Sequence, residues 1–410
     1  MEIQQLIRSF SIPRDGEYAR KLRGILGSAP YCINVNWKNN LYILSSKRRY
    51  SDFSRKEVRQ SCGIIMDTAD DHVVAYSYDF ITDYTDSMKE QFEENWSKYR
   101  AERVIDGAVM RVFFFNGTWN VATLNCVDAN DAFWSNQKSF RELFEECAAE
   151  SGLDFSKLNP KYCYTFIIQH PHNHMVVNCQ GPRMLHLCTV DTSQDLPTYI
   201  TTNDTGIPSV ETVNFDSFKA FEEEIARSET IPLNKDSSLG FILINTETGE
   251  RTRVRRREYI RAQTLKGNHA NINYRVLEII LEDYKLHQSD SSHNHIRKTE
   301  FLQFFPQYKK NFYTLETKLH ELGESLMSTY IDVYVKRSRP LPAPQTLISL
   351  IQKHIFDEIY LNFLEDNQSI ALGKVNRVIK SQNVWRIAGL LGISPVIKHH
   401  RMLTRKIIPV

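Results

Sequence analysis

No stretch of this sequence is apolar for long enough to cross a bilayer. The longest apolar run, Val109–Phe115, is seven residues long and is interrupted by Arg111, whereas a spanning helix needs about twenty apolar residues. A membrane partner is therefore not expected. Charge of one sign is also scarce. The formal net charge is +2 over 410 residues, so bulk charge does not argue for nucleic acid, and any such argument must come from local clusters. The seven cysteines are odd in number and form no CxxC pair. That pattern argues against a zinc site or a disulfide framework and for free thiols in a reducing compartment. There is no internal repeat, and the charged first twenty residues carry no secretory h-region. What remains is an ordinary globular mixture, 41% hydrophobic and 24% charged.

Two regimes follow each other along the chain. As far as about residue 260, short β-rich runs alternate with turns. Tyr31–Leu44, Cys62–Asp67, Val73–Tyr78, Val109–Phe115, Trp119–Thr123, Tyr162–Gln169, Met175–Asn178, Leu185–Val190 and Phe241–Asn245 read as strands. Asn116-Gly117 predicts a tight hairpin, because both residues accept a positive φ. Ser139–Ser151 and Phe215–Ile225 have helical spacing. Beyond that, Tyr274–Leu286, Phe301–Val335, Gln345–Phe363 and Lys374–Leu391 read as amphipathic helices, with a polar loop between Lys285 and Lys298 and a rigid proline-rich break at Arg339–Pro344. The expected fold class is α+β: an antiparallel-sheet domain over 1–265 followed by an all-α domain over 266–410.

Several short motifs occur in a fixed order. They are Cys62-Gly63, then Ile105-Asp106-Gly107 with Arg111, Val127-Asp128-Ala129, Phe166–His170 followed by Pro171 and Asn173, Leu239-Gly240, and Arg253-Val-Arg255 with Glu258-Tyr259. In this order the chain resembles phage T4-type RNA ligases of the nucleotidyltransferase superfamily, and above all ligase-like proteins of large DNA viruses. The helical block Phe304–Lys310 extends that similarity into the second half. The resemblance implies an ATP-grasp-like ligase domain in which a lysine amine attacks the α-phosphate of ATP and carries AMP. A divalent metal held by carboxylates and further cations on the phosphates would assist it.

The positions that would perform this chemistry are altered. The family's Lys-x-Asp-Gly keeps Asp106 and Gly107 but has Val104 at the lysine. Arg103 beside it stays protonated and is a poor nucleophile. Cys62 stands where the family has arginine, Ile167 and Leu239 where it has glutamates, and Arg253 and Arg255 where it has lysines. The vestigial nucleotide pocket implied by the resemblance is thus Cys62, Val104, Asp106, Gly107, Ile167, Leu239, Gly240, Arg253 and Arg255. With no nucleophile at Val104, no catalytic residue, metal or cofactor is expected. The alternative is an active ATP- and Mg²⁺-dependent RNA ligase whose lysine comes from elsewhere, Lys98 or Lys235. Lys98 is six residues upstream of Val104, on the order of 20 Å along a strand.

Arg251, Arg253, Arg255 and Arg257, closed by Arg261, form the densest basic cluster. On one strand the first four would share a face and are candidates for RNA phosphates. The competing reading is a solvated face paired with Glu247, Glu250 and Glu258. His170-Pro-His172-Asn-His174 reads as a surface turn in preference to a metal site, because Pro171 disfavours a regular strand. RNA and protein partners in a larger assembly both remain open. The expected setting is cytoplasmic, in the host cell of a virus.

Overall fold

The computed structural model describes residues 1–394 apart from 48, 135–137, 174, 234–237, 268, 270, 290–295, 339–346 and 367–370. Lys235, His174 and the break at Arg339–Pro344 lie outside the described residues. The chain is α+β and divides into two compact units, Met1–Arg261 and one beginning at Ala262.

Three sheets build the first unit. In sheet one, β1 (Ile33–Lys38), β2 (Leu41–Ser46), β3 (Cys62–Asp67) and β4 (Val73–Ala75) lie in sequence order, all antiparallel. The two-residue period of β2 sends Tyr42 and Leu44 to one core and Leu41 and Ile43 to another. The first core is closed by α1 (Glu2–Ser9), α2 (Tyr18–Leu26) and α3 (Lys56–Gln60). The buried Asp71 carboxylate ties α2 and the segment before it to β2 by accepting from Tyr18 (2.5 Å), Tyr42 (2.7 Å) and Arg14. The stretch 31–44, predicted as one strand, is a hairpin: Asn39 turns the chain with φ 54°, a conformation asparagine tolerates.

Sheet two has the order β11-β10-β9-β7-β8, from β7 (Ala108–Phe115), β8 (Thr118–Thr123), β9 (Tyr162–Gln169), β10 (Arg183–Asp191) and β11 (Thr198–Ile200). Asn116 and Gly117 close its hairpin with φ of 49° and 79°, as the dipeptide predicts. Helix α5 (Phe140–Ser151), opened by a Ser139–Glu142 capping box, packs Leu143, Phe144 and Cys147 against Met110, Val112, Phe166 and Ile168 on one face. The opposite face carries Val109, Arg111, Phe113 and Phe115 of β7. Phe113 meets sheet one there.

Sheet three, β12-β6-β13-β14-β5, comprises β5 (Thr82–Asp83), β6 (Tyr99–Arg103), β12 (Thr212–Val213), β13 (Gly240–Asn245) and β14 (Arg251–Arg255). It is antiparallel except for the β14–β5 pair. Helices α4 (Lys89–Glu94) and α6 (Phe218–Glu229) cover it through an aromatic core of Phe92, Phe218, Phe221 and Phe241. The chain crosses from sheet three to sheet two between β6 and β7, at residues 104–107. That crossing holds the altered motif.

Met175–Asn178 is not a strand. The amides of Val176 and Val177 are committed to the Asp106 carboxylate, at 2.7 Å each, and are not free for a ladder.

Helix α7 (Arg257–Lys266) carries the chain into the second unit, whose other described elements are helical. They are α8 (Ile272–Ser289), α9 (Ile296–Phe304), α10 (Lys309–Tyr330), α11 (Leu347–Asp366), α12 (Leu372–Ser381) and α13 (Val384–Leu390). α10 packs on α8 and α12. The helix predicted over Phe301–Val335 is broken at Pro306. Proline offers no amide and forces Phe305 out of helical geometry, to φ −130° and ψ 60°. The helix predicted over Lys374–Leu391 is broken by Gln382 at ψ 162° and by Asn383, whose side chain caps α13. The polar loop predicted from Lys285 is shorter at its start, because α8 runs on to Ser289. Among the described residues no helix is long and apolar enough to cross a membrane. All seven cysteines carry free thiols.

Candidate functional site

The crossover is held at each residue. Arg103 donates its amide to the Glu211 carbonyl and its Nε to the Glu211 carboxylate (2.7 Å). Val104 donates its amide to the Gly240 carbonyl at 2.9 Å. Asp106 is buried, and both its oxygens are occupied. Oδ2 accepts from the Val176 and Val177 amides, and Oδ1 accepts from the Tyr259 hydroxyl at 3.1 Å. Burial, with the nearby Asp106 charge adding to it, holds the Tyr259 phenol well above its ordinary value, so it stays a donor. Gln169 fixes the Asp106 carbonyl at 3.0 Å. Gly107 is required sterically: a Cβ there would lie 2.5 Å from the Ile168 carbonyl oxygen and 2.7 Å from the Ile167 side chain.

The structure brings most of the sequence-derived pocket together. Gly240 pairs with Arg255 across β13 and β14, at φ 124°. A Cβ at Gly240 would meet the Val254 carbonyl oxygen at 2.1 Å, so only glycine fits. Arg253 and Arg255 both bind Asp83 of β5, at 2.9 and 3.2 Å. Both cations act on Tyr259, which places them near Asp106. Ile167 packs with Leu185 and Val210 in an apolar patch completed by Ile105, Val109 and Leu187, and Leu239 is also buried. Ile105, the neighbour of Val104, makes the contact to that patch.

The basic face is smaller than predicted. β14 ends at Arg255, and Arg257 opens α7, so Arg251, Arg253, Arg255 and Arg257 do not share one strand face. The reason lies in Arg256. Its fully buried guanidinium donates to the carbonyls of Ser238 (3.1 Å) and Ile231 and to Glu258 (2.8 Å), which fixes the turn from strand to helix. Arg257 and Arg261 are exposed on α7, whereas Arg251 is buried and stacks 4.7 Å above the Tyr78 ring. The histidine-rich segment is a turn, with the Asn173 amide on the His170 carbonyl. His170 is nevertheless buried at 3% exposure, with Nε2 2.9 Å from Glu146.

Sequence reasoning missed two features here. One is the set of donors gathered on Asp106, which come from 70, 71 and 153 residues away. The other is the placing of Arg111, itself one of the motif residues: its guanidinium nitrogens reach to within 3.0 Å of where a Gly63 Cβ would stand, next to Cys62.

ATP with a divalent metal does not fit this set of residues. Val104, Ile167 and Leu239 offer neither nucleophile nor metal ligand, and Asp106, the one carboxylate of that pocket, already accepts three of the protein's own donors. Lys98 pairs with Glu247 at 3.0 Å, just before the far end of β6 from Val104.

No protein-family model matches the chain. Among curated proteins it is similar to the Immediate-early protein ICP-46 homolog of Invertebrate iridescent virus 3. The two are 22% identical over 316 residues, covering 73% of this chain and 65% of that protein, so the match spans less than two thirds of the relative's length. Among solved structures it is similar to an archaeal ATP-dependent RNA ligase (TM-score 0.43, 12% identity, 80% of this chain and 82% of that one). It is also similar to a putative ATP-dependent DNA ligase from Aquifex aeolicus (0.41, 13%, 77% and 78%). A third is Naegleria gruberi RNA ligase with PPi (0.33, 15%, 45% and 57%).

Proposed function

We propose that this chain is an RNA-ligase-like protein that forms no lysyl-adenylate and works as a binding subunit, with the ligase-like part at 1–265 and a helical part at 266–410. The observation that carries the reading is the state of the crossover. An aliphatic residue fills the nucleophile position, and the adjoining carboxylate spends both oxygens on the protein's own donors. RNA phosphate is the ligand we assign to Arg253, Arg255, Arg257 and Arg261, while burial removes Arg251 from that surface. The seven free thiols and the similarity to an iridescent virus protein support a viral protein acting in the cytoplasm.

Incubation with labelled ATP and Mg²⁺ or Mn²⁺ is expected to give no acid-labile protein adduct. Val104→Lys is expected to remain unlabelled too, because Ile167 and Leu239 still supply no metal ligand. An adduct on Lys98, Lys235 or any other amine of the wild-type chain would restore the alternative, an active ATP-dependent RNA ligase. RNA affinity should fall steeply with salt, and the slope should shrink by about one for each phosphate-contacting arginine removed. Absent or salt-independent RNA binding would leave a protein scaffold role in its place.

A further inference from the structure

The second unit holds an open cavity of about 620 Å³ among α8, α10 and α12, with Lys298 of α9 at its side. Clefts that take small organic molecules measure roughly 300–1,000 Å³. Helical spacing aims the lining inward. Ile280, Tyr284 and His287 of α8 lie four and three residues apart. Leu319 of α10 and Ile379 of α12 follow Glu316 and Asn376 by three residues each, so each pair shares one helix face. Asn376 marks the close approach of α12 to α10: a Cβ at Gly323 would lie 2.2 Å from its Oδ1.

Most of the polar groups on this lining are already matched. Asp283 is buried, and its two oxygens accept the amides of Arg297 (3.0 Å) and Lys298 (2.9 Å) at the start of α9. Lys298 gives its Nζ to Glu316 at 2.5 Å. His320, exposed at the mouth, faces Glu324 at 3.5 Å. Lys380 is different. Its ammonium lies 5.4 Å from the centre of the Tyr284 ring, and it has no acid partner among the described residues. The π face attracts the cation but brings no countercharge. His287, also exposed at the mouth, has no hydrogen-bond partner among the described residues. The remaining wall is apolar, from Ile280 and the buried Leu319 and Ile379.

We propose that this cavity binds an organic monoanion: an apolar body seated on Ile280, Leu319 and Ile379, with one acidic group on the Lys380 ammonium. The single cation without an acid partner sets the charge. A bare inorganic anion would leave the apolar wall uncovered, and a cationic ligand would be repelled by Lys380. Among the described residues no group of three His, Cys, Asp or Glu is placed to hold a metal, so His287 and His320 do not make the cavity a metal site. The cavity lies wholly in the second unit. The proposed function rests on the crossover of the first, so either can fail without the other.

The test titrates the full chain with anilinonaphthalenesulfonate, an aromatic monoanion that fluoresces when shielded from water. Phenylnaphthylamine, the same ring system without the sulfonate, is the neutral control. The sulfonate is expected to saturate one site and to bind about tenfold more tightly than the neutral compound, the worth of one charge-assisted hydrogen bond. Lys380→Met should weaken the sulfonate by about tenfold and leave the neutral compound unchanged, while Lys380→Arg should keep the wild-type preference. Both variants should retain the wild-type unfolding midpoint, because Lys380 is half-exposed and carries no ion pair. Equal affinity of the two compounds for the wild-type chain overturns the proposal. So does unsaturable binding, or a Lys380→Met protein that holds the sulfonate as tightly as before.

Discussion

Asp106 and Arg111 are five residues apart, both buried and both charged, yet the fold treats them in opposite ways. The carboxylate is met by three donors from two distant segments. The guanidinium is met by one carbonyl. His186, on β10, takes a third course: burial pushes its pKa down to about 4, and it stays neutral against Thr189 at 2.8 Å. The acid is thus part of the framework and the base avoids charge. Of these three, the cation is the one with two donor nitrogens left without an acceptor.

Removing each group in turn tests this contrast. The largest effect is expected from Asp106→Ala. It strands two amides and a hydroxyl in the interior and should cost about 4 kcal/mol of unfolding free energy, read from denaturant titration. If the loss stays near zero, the carboxylate is not wired as described.

Next comes acid. His186 has a folded-state pKa below its unfolded value of about 6.5, so the unfolded chain binds the extra proton first. The stability that the neutral imidazole provides is complete above pH 6.5 and is lost as pH falls through about 4. The loss should approach 3 kcal/mol, and His186→Gln should flatten that part of the profile.

The smallest effect has the reverse sign. Arg111→Met should stabilise the protein by about 1–3 kcal/mol, because a buried cation with two unpaired nitrogens gives way to an apolar side chain of similar length. Destabilisation there would mean that the guanidinium is matched after all.

Local chemistry made much of this legible beforehand. β3 and β9 were bounded by their own residues, Asn116-Gly117 dictated its turn, and the Ser139–Glu142 pairing opened α5. The ordered motifs located the crossover. What escaped depended on distant partners. β6, Tyr-Arg-Ala-Glu-Arg, looks too polar for an inner strand, yet it lies between β12 and β13: Arg103 pairs with the exposed Glu211, and Arg100 reaches from the surface to the buried Glu102. Arg256 is hidden within a run that reads as solvated surface, although carbonyls 18 and 25 residues earlier hold it inside. The alternation of β7 made Arg111 a core position. That two of its nitrogens find no acceptor does not follow from β7 alone.

The bonds on Asp106 also bear on the order of events in folding. Its partners are separated from it by 70, 71 and 153 residues, and closing such large loops comes late, after local turns and helices have formed. Asp106→Ala should therefore leave the refolding rate nearly untouched and accelerate unfolding, which makes this carboxylate a brake on the loss of the native state.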